Sequence, residues 1–142
     1  MASSISFDAV DVGTELPAQS FRVQRVNLVM YAGASGDFNV IHWNERIAKS
    51  VGLPDVIAHG MFTMAEAARV VTDWVGDPGA VVEYGVRFTK PVPVPDDDHG
   101  ATLQVSGVVT EKLDGRRAKV ELTAICDDTK VLGQARAVVQ LA

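Results

Sequence analysis

The chain has 142 residues, a single cysteine and a formal net charge of −5 at pH 7. Its length predicts one domain over residues 1–142, with enough buried surface to fold without disulfides. The acidic balance argues against a nucleic-acid partner, which would require a basic excess. One cysteine excludes an intrachain disulfide and a four-cysteine zinc site.

The amino-terminal segment lacks the cationic start and the apolar core of a signal peptide. No run of about 18 apolar residues is available to cross a membrane as a helix. The lone cysteine fits a reducing compartment. We therefore expect a cytoplasmic protein with no membrane partner.

The first half of the chain predicts a short strand and two short helices. Residues 21–26 alternate apolar and polar side chains, which is typical of a strand. Asn27 is placed to cap a helix that ends at Gly36, and a loop follows. Asn44 is placed to cap a second helix that stops at Gly52.

Residues 60–75 give the strongest helical pattern in the chain. Their polar side chains form one narrow stripe, and the rest of the surface is apolar. A helix that is apolar nearly all round is surrounded by protein. This segment is therefore predicted to be a central helix.

The second half of the chain predicts antiparallel strands. Alternation with a period of two begins at Ala80, and Asp114-Gly115 is a strong hairpin signal. Residues 91–95 read PVPVP and predict an extended connection outside the sheet. Helices first and strands last indicate an α+β fold, with a curved antiparallel sheet wrapped around the helix at about 60–75. Such an open sheet leaves an edge uncovered, so we expect a dimer.

Asp37 and His42 are the first candidates for chemistry, because they stand five residues apart in a glycine-flanked loop. A carboxylate and an imidazole in an apolar cleft form a proton-transfer pair. Asn39, between them, is suited to hold the turn. The alternative is that Asp37 caps a turn and His42 packs beside Trp43, and the spacing alone does not decide between the two.

Gly60 is the second candidate, because it stands at the start of the predicted central helix. Free N–H groups point outward there and favour negative charge, and glycine lets a ligand approach the backbone closely. A carbonyl oxygen that gains charge would be stabilised at this point. The alternative is a packing glycine preceded by His59 as a helix cap.

Together these residues form a known pattern. The run Y-x3-S-G-D-x-N-x2-H-x5-A over residues 31–48, followed by A-H-G at 58–60, resembles the hydratase-2 motif of MaoC-like (R)-specific enoyl hydratases and dehydratases. Within that family, residues 74–95 are similar to the catalytic subunits of mycobacterial (3R)-hydroxyacyl-carrier-protein dehydratases. The resemblance covers most of the chain.

The resemblance implies a hot-dog fold and a lyase that works without a cofactor or a metal. The implied reaction is the reversible, syn hydration and dehydration between trans-2-enoyl and (3R)-3-hydroxyacyl thioesters of acyl carrier protein or coenzyme A, in fatty-acid or mycolic-acid elongation. By the same resemblance, Asp37 and His42 are the catalytic dyad, and the Gly60 amide belongs to the oxyanion hole. Two positions depart from the family: Val40 replaces a usual proline, and alanines replace a helix serine that supports the dyad in many members.

Further residues are predicted to bind the substrate. The candidates for the acyl group and the thioester are Asn39, Trp43, His59, Met61, Phe62 and Ala65. Arg87 and Lys90 are candidates for the phosphates of coenzyme A or for an acidic carrier protein. Ordinary core packing and solvated strand faces are the competing interpretations.

Two other functions fit the same residues less well. A hot-dog thioesterase would share the architecture and release a free thiol. A non-catalytic acyl-binding subunit of a hetero-oligomer would not need both Asp37 and His42. The resemblance allows either a homodimer or a heterodimer with a sister hot-dog subunit.

Overall fold

The computed structural model of the chain describes residues 3–142. The helices are α1 (Arg25–Ser35), α2 (Glu45–Ser50) and α3 (Gly60–Val75). The strands are β1 (Glu15–Val23), β2 (Val81–Phe88), β3 (Ala101–Leu113), β4 (Arg117–Cys126), β5 (Thr129–Lys130) and β6 (Leu132–Gln140). Met1 and Ala2, which the predictions of one domain and no signal peptide include, lie outside the described residues. Across residues 3–142, no helix has the length and apolar character needed to span a membrane.

The sheet is antiparallel throughout and wraps around α3. Its strand order is β1-β3-β4-β6-β2, with β5 paired to β4. α3 contacts all five long strands. Along β4, every second side chain from Ala118 to Cys126 is buried against the core, as the alternation predicts. The α+β hot-dog arrangement expected from the sequence is confirmed.

The predicted boundary between the first strand and the first helix is wrong. β1 begins at Glu15 and ends at Val23, whereas the alternation indicated residues 21–26. A register shift between Leu16 and Gln19 interrupts the pairing with β3, so no clean period of two marks the start of the strand. The helix cap is Gln24 rather than Asn27, whose side chain instead accepts a hydrogen bond from the Gln24 N–H at 2.8 Å.

α3 has the predicted bounds, but the sheet covers only one of its faces. The buried positions on the covered face are Thr63, Ala67, Val70, Val71 and Val75. On the other side Met61 is 57% exposed and Ala65 is also exposed. Within the described chain, the apolar surface of the central helix is therefore only partly enclosed.

The proline-rich connection at residues 91–95 links the sheet to the start of α3. It is extended and lies outside the named strands, as predicted. The Ala58 N–H donates to the Val92 carbonyl at 2.9 Å, and the Val94 N–H donates to the Val56 carbonyl at 2.8 Å. These bonds fix the segment that precedes Gly60 against the chain that follows β2.

Candidate active site

The loop that carries Asp37 and His42 is shaped by local hydrogen bonds. α1 ends at Gly36, which adopts the left-handed conformation with φ of 75° that favours glycine. The Asp37 Oδ1 accepts from the Asn39 N–H at 3.2 Å. The Asn39 Oδ1 accepts from the Ile41 N–H at 3.3 Å and caps a single 3-10 turn, Val40–His42. The sequence therefore places both functional groups on one tight loop.

His42 is buried and held by the main chain of Ile57. Its Nδ1 lies 2.7 Å from the Ile57 carbonyl oxygen. A carbonyl oxygen only accepts, so we assign the ring proton to Nδ1. The Nε2 of neutral His42 then carries a free lone pair. Nε2 is therefore the atom that can take up a proton.

The Asp37 carboxylate faces that lone pair. The distance from Asp37 Oδ2 to His42 Nε2 is 4.0 Å, and the Asp37 side chain is 52% exposed. This separation is too long for a direct hydrogen bond. A single hydroxyl group or water fits between the two atoms at about 2.8 Å from each.

Burial keeps His42 neutral. Desolvation lowers the pKa of the His42 imidazole below its ordinary value of 6.5. The hydrogen bond to Ile57 opposes this shift, the neighbouring His59 adds to it, and Asp37 opposes it. The net direction is downward, so at neutral pH the His42 imidazole is a neutral base and forms no salt bridge with Asp37.

Gly60 is the first residue of α3, and its N–H has no acceptor within the helix. A Cβ at this position would lie 3.1 Å from three ring atoms of Phe88, so a side chain would press on that ring. The absence of a side chain leaves the backbone N–H open to a ligand. A carbonyl oxygen that gains negative charge is stabilised by such a donor.

His42 and Gly60 open onto the same cavity, which has a volume of about 360 Å³. Its wall is formed by His42, Ile57, Ala58, Gly60, Thr63, Phe88, Thr89, Lys90, Pro91, Val92, Val131 and Leu132. Most of these side chains are apolar, and few polar groups converge at the His42 end. That composition suits an apolar ligand with one polar reacting centre.

The structure brings four predicted site residues together: Asp37, His42, Gly60 and Lys90. His42, Gly60 and Lys90 line the cavity. Asp37 is not part of the cavity wall, but its carboxylate lies 4.0 Å from His42 Nε2. Lys90 is exposed, which leaves its ammonium group free to meet a charged part of a ligand at the rim.

The remaining candidates lie outside the wall of this cavity. The Trp43 Nε1–H donates to the Phe38 carbonyl at 3.0 Å, and its ring is exposed. Met61 and Ala65 are on the open face of α3, Phe62 is half-buried edge-on to Tyr31, and Arg87 is an exposed residue of β2. Asn39 is engaged by the backbone turn. His59 is 1% exposed, and its Nε2 bonds to the main chain of Asp37 at 3.0 Å.

The cavity wall includes residues that sequence reasoning missed. Phe88 forms the wall next to Gly60, and Thr63 adds a buried hydroxyl one turn into α3. Leu132 is the first residue of β6, which pairs with the end of β2, and Val131 directly precedes it. The strand pattern identified Phe88 as apolar, but only the sheet register brings it to the helix start.

Within residues 3–142, one group of side chains has the ligand types of a metal site. One ligand atom from each of Asp37, His42 and His59 lies within 4.8 Å of the others. Tetrahedral zinc with bonds of about 2.0–2.1 Å needs ligand atoms about 3.3 Å apart. The two imidazoles are stacked at 3.8 Å with planes 22° apart, so their in-plane lone pairs do not converge on one ion. The expectation of a metal-free site stays a prediction.

Comparisons with known proteins show the family of the chain. A family model described as a MaoC like domain matches residues 9–129. The 3-hydroxyacyl-thioester dehydratase X of Mycobacterium tuberculosis is 44% identical over 79 residues, which is 56% of this chain and 27% of that protein. The (R)-specific enoyl-CoA hydratase of Rhodospirillum rubrum is 33% identical over 91 residues, which is 63% of this chain and 62% of that protein.

A solved structure of a MaoC-like dehydratase has 43% sequence identity and a TM-score of 0.95, covering 99% of this chain and 44% of that one. The chain thus spans less than two thirds of each of these three proteins. The family match nevertheless takes in α1, the Asp37 loop, α3 and the sheet as far as β5. The chain belongs to the MaoC-like domain family.

Proposed function

We propose that the chain catalyses the reversible interconversion of (3R)-3-hydroxyacyl and trans-2-enoyl thioesters, as a hydro-lyase. The observation that carries this proposal is the 4.0 Å approach of Asp37 Oδ2 to His42 Nε2 beside an apolar cavity that Gly60 also lines. The proposal places the reaction in fatty-acid or mycolic-acid elongation.

In the dehydration direction, the C2–H bond of the hydroxyacyl thioester breaks and its proton passes to the dyad. The C3–O bond then breaks, and the leaving hydroxyl takes a proton from the dyad and departs as water. The dyad ends with the protons that it had at the start, and the electron pair of the C–H bond becomes the C2=C3 double bond. Asp37 and His42 share these transfers, and the proposal assigns neither proton to one residue alone.

Gly60 serves the same reaction at the carbonyl. Loss of the C2 proton places negative charge on the thioester oxygen, and the Gly60 N–H at the start of α3 donates a hydrogen bond to that oxygen. The Phe88 ring packs directly against Gly60, so a side chain at residue 60 would fit only if that ring shifted.

The two similar proteins, a 3-hydroxyacyl-thioester dehydratase and an (R)-specific enoyl-CoA hydratase, support this reaction. A thioesterase remains the alternative within the same architecture, because a water molecule near the dyad has the carbonyl carbon as a second target. A non-catalytic subunit is disfavoured, since a scaffold needs neither the neutral His42 base nor the carboxylate beside it.

The first prediction concerns the dyad. The wild-type chain is expected to remove the conjugated enoyl absorbance of a medium-chain trans-2-enoyl-CoA without release of free thiol. Asp37→Asn and His42→Asn are each expected to lower turnover at least about a hundredfold, the scale of lost general acid–base catalysis. His42→Asn retains a donor for the Ile57 carbonyl, and Asp37→Asn retains an acceptor for the Asn39 N–H, so both should fold.

His99→Asn is the matched control, because His99 is an exposed residue in a turn. It is expected to leave turnover unchanged. Near-normal activity in either dyad variant would refute the dyad, and free thiol would favour the thioesterase. No hydration of either the coenzyme A or the carrier-protein thioester would contradict the proposed reaction.

The second prediction is the pH dependence. Because burial lowers the pKa of His42, its neutral form persists below pH 6.5, and the acidic limb of kcat/KM is expected below that value. The unfolded chain binds the proton more readily, so His42's contribution to stability is complete above pH 6.5 and is lost as the pH falls toward the lowered pKa. Rate profiles and unfolding free energies between pH 5 and 8 measure both; an acidic limb above 6.5 would contradict the assignment.

The third prediction concerns the charged end of the substrate. Lys90 lies at the cavity, and Arg87 is exposed on the same strand end, so we infer that Lys90 contacts the phosphates of coenzyme A or an acidic carrier surface. Lys90→Glu is expected to raise KM about tenfold with kcat within twofold, and the effect should weaken as salt is added. Arg117→Glu is the control. Arg117 is the first residue of β4, and β5 pairs with the other end of that strand. Equal changes in the two variants would contradict this contact.

The fourth prediction concerns a partner. We infer that a second hot-dog domain, either another copy of this chain or a sister subunit, covers the open side of α3 and β2. β2 is the last strand of the sheet path, and Met61, Val82 and Phe88 are exposed beside it. In the similar solved dehydratase, more than half of the chain lies beyond the part that this chain matches, which leaves room for such a domain.

Light scattering of the chain expressed alone is expected to give twice its mass of 15.2 kDa. Val82→Lys should shift the protein to monomer, whereas Val12→Lys, at an exposed valine before β1, should not. A monomer at every concentration would contradict the homodimer and favour the sister subunit.

A further inference from the structure

His59 is a buried imidazole that the proposed chemistry does not use. It is the residue before Gly60, caps the start of α3 through its backbone position, and is 1% exposed. Its side chain is outside the wall of the cavity, so its role is separate from direct contact with the substrate.

The His59 side chain ties together the two segments that supply the site. Its Nε2 lies 3.0 Å from the main-chain carbonyl oxygen of Asp37, 22 residues earlier in the chain. A carbonyl oxygen only accepts, so this Nε2 carries the ring proton. One hydrogen bond therefore connects the backbone of Asp37 to the helix start that presents Gly60.

The His59 ring also fixes the ring of His42. The two ring centres are 3.8 Å apart, and their planes differ by 22°. His42 is then held along one edge by the Ile57 carbonyl and on one face by His59. Tyr31 packs against His59 in turn, at 4.8 Å between ring centres.

The second nitrogen of the His59 ring indicates that packing alone does not explain why residue 59 is a histidine. Among the described residues, His59 Nδ1 is buried without a hydrogen-bond partner. A buried polar atom without a partner is rare and costs stability, and a phenyl ring would fill the space without that cost. The bond from Nε2 to Asp37 is what an imidazole provides here and a phenyl ring does not.

We propose that His59 is a positioning residue of the dyad: its Nε2–H fixes the main chain of Asp37, and its ring fixes the plane of His42. The two contacts set the 4.0 Å separation of Asp37 Oδ2 and His42 Nε2. The proposal rests on the proposed function, since it assigns His59 to that reaction, and it places the residue behind the dyad rather than against the substrate.

Two variants separate the two contacts. His59→Gln keeps an N–H donor near the position of Nε2 and removes the ring, whereas His59→Phe keeps a ring and removes the donor. His59→Phe is expected to lower kcat at least tenfold with KM within about twofold, because a displaced dyad slows the reaction without loss of binding contacts. His59→Gln is expected to recover kcat to within about fivefold of wild type. A kcat close to that of wild type in His59→Phe, or a change confined to KM in either variant, would overturn the proposal.

The tautomers of the wild-type rings give a test that does not require activity or a variant that folds. The untagged chain has three histidines, so two-bond ¹⁵N–¹H spectra resolve each ring. The expected pair is Nε2–H for His59 and Nδ1–H for His42. An Nδ1–H tautomer at His59 in an active wild type would overturn the positioning role of His59 and leave the proposed function intact. The expected tautomers in an inactive wild type would instead contradict the proposed function.

Discussion

The main chain of Ile57 holds the parts of the site in place. Its N–H donates to the Ile41 carbonyl at 3.2 Å, and its carbonyl accepts from His42 Nδ1 at 2.7 Å. The residues on either side of it pair with Val92 and Val94 of the proline-rich connection. The same hydrogen bond that orients His42 also puts its proton on Nδ1, so fold and protonation are set by one contact. Without it, the Nε2 that faces Asp37 would have no fixed direction and no assured lone pair.

The two groups of the dyad differ because their surroundings differ. His42 is buried, so desolvation lowers its pKa and keeps it neutral. Asp37 is half-exposed and retains access to water. Two titratable groups in unlike environments are the arrangement that lets one site both take and give a proton near neutral pH. The apolar cavity on one side and solvent on the other are therefore part of the proposed chemistry.

Local signals in the sequence were enough to predict the elements that depend on local contacts. α3 has the predicted bounds, and Asn44 caps α2 by accepting from the Ile47 N–H at 3.1 Å. The start of β1 was not predictable in this way, because its pairing with β3 contains a register shift. The Asp37 loop was singled out through a motif of a few neighbouring residues, and its catalytic role stays a prediction.

The rest of the site depends on distant segments. Phe88 reaches Gly60 because β2 ends beside the start of α3, and Leu132 joins the wall because it pairs with Phe88 in the sheet. No spacing along the chain encodes that approach. Met61 is a candidate that the sheet does not bring into the cavity wall. Its position on the helix suggested an acyl contact, but the sheet covers the other face of α3, so the Met61 side chain is exposed.

The most direct test of the account is a crystal structure of the Asp37→Asn variant with a bound (3R)-3-hydroxyacyl-CoA. If the proposed reaction is right, the acyl chain lies in the cavity beside Phe88, and the C3 hydroxyl lies between residue 37 and His42 Nε2 at about 2.8 Å from each. The thioester oxygen then lies at about 2.9 Å from the Gly60 nitrogen. An acyl chain bound elsewhere, or a carbonyl turned away from Gly60, would contradict the central claim.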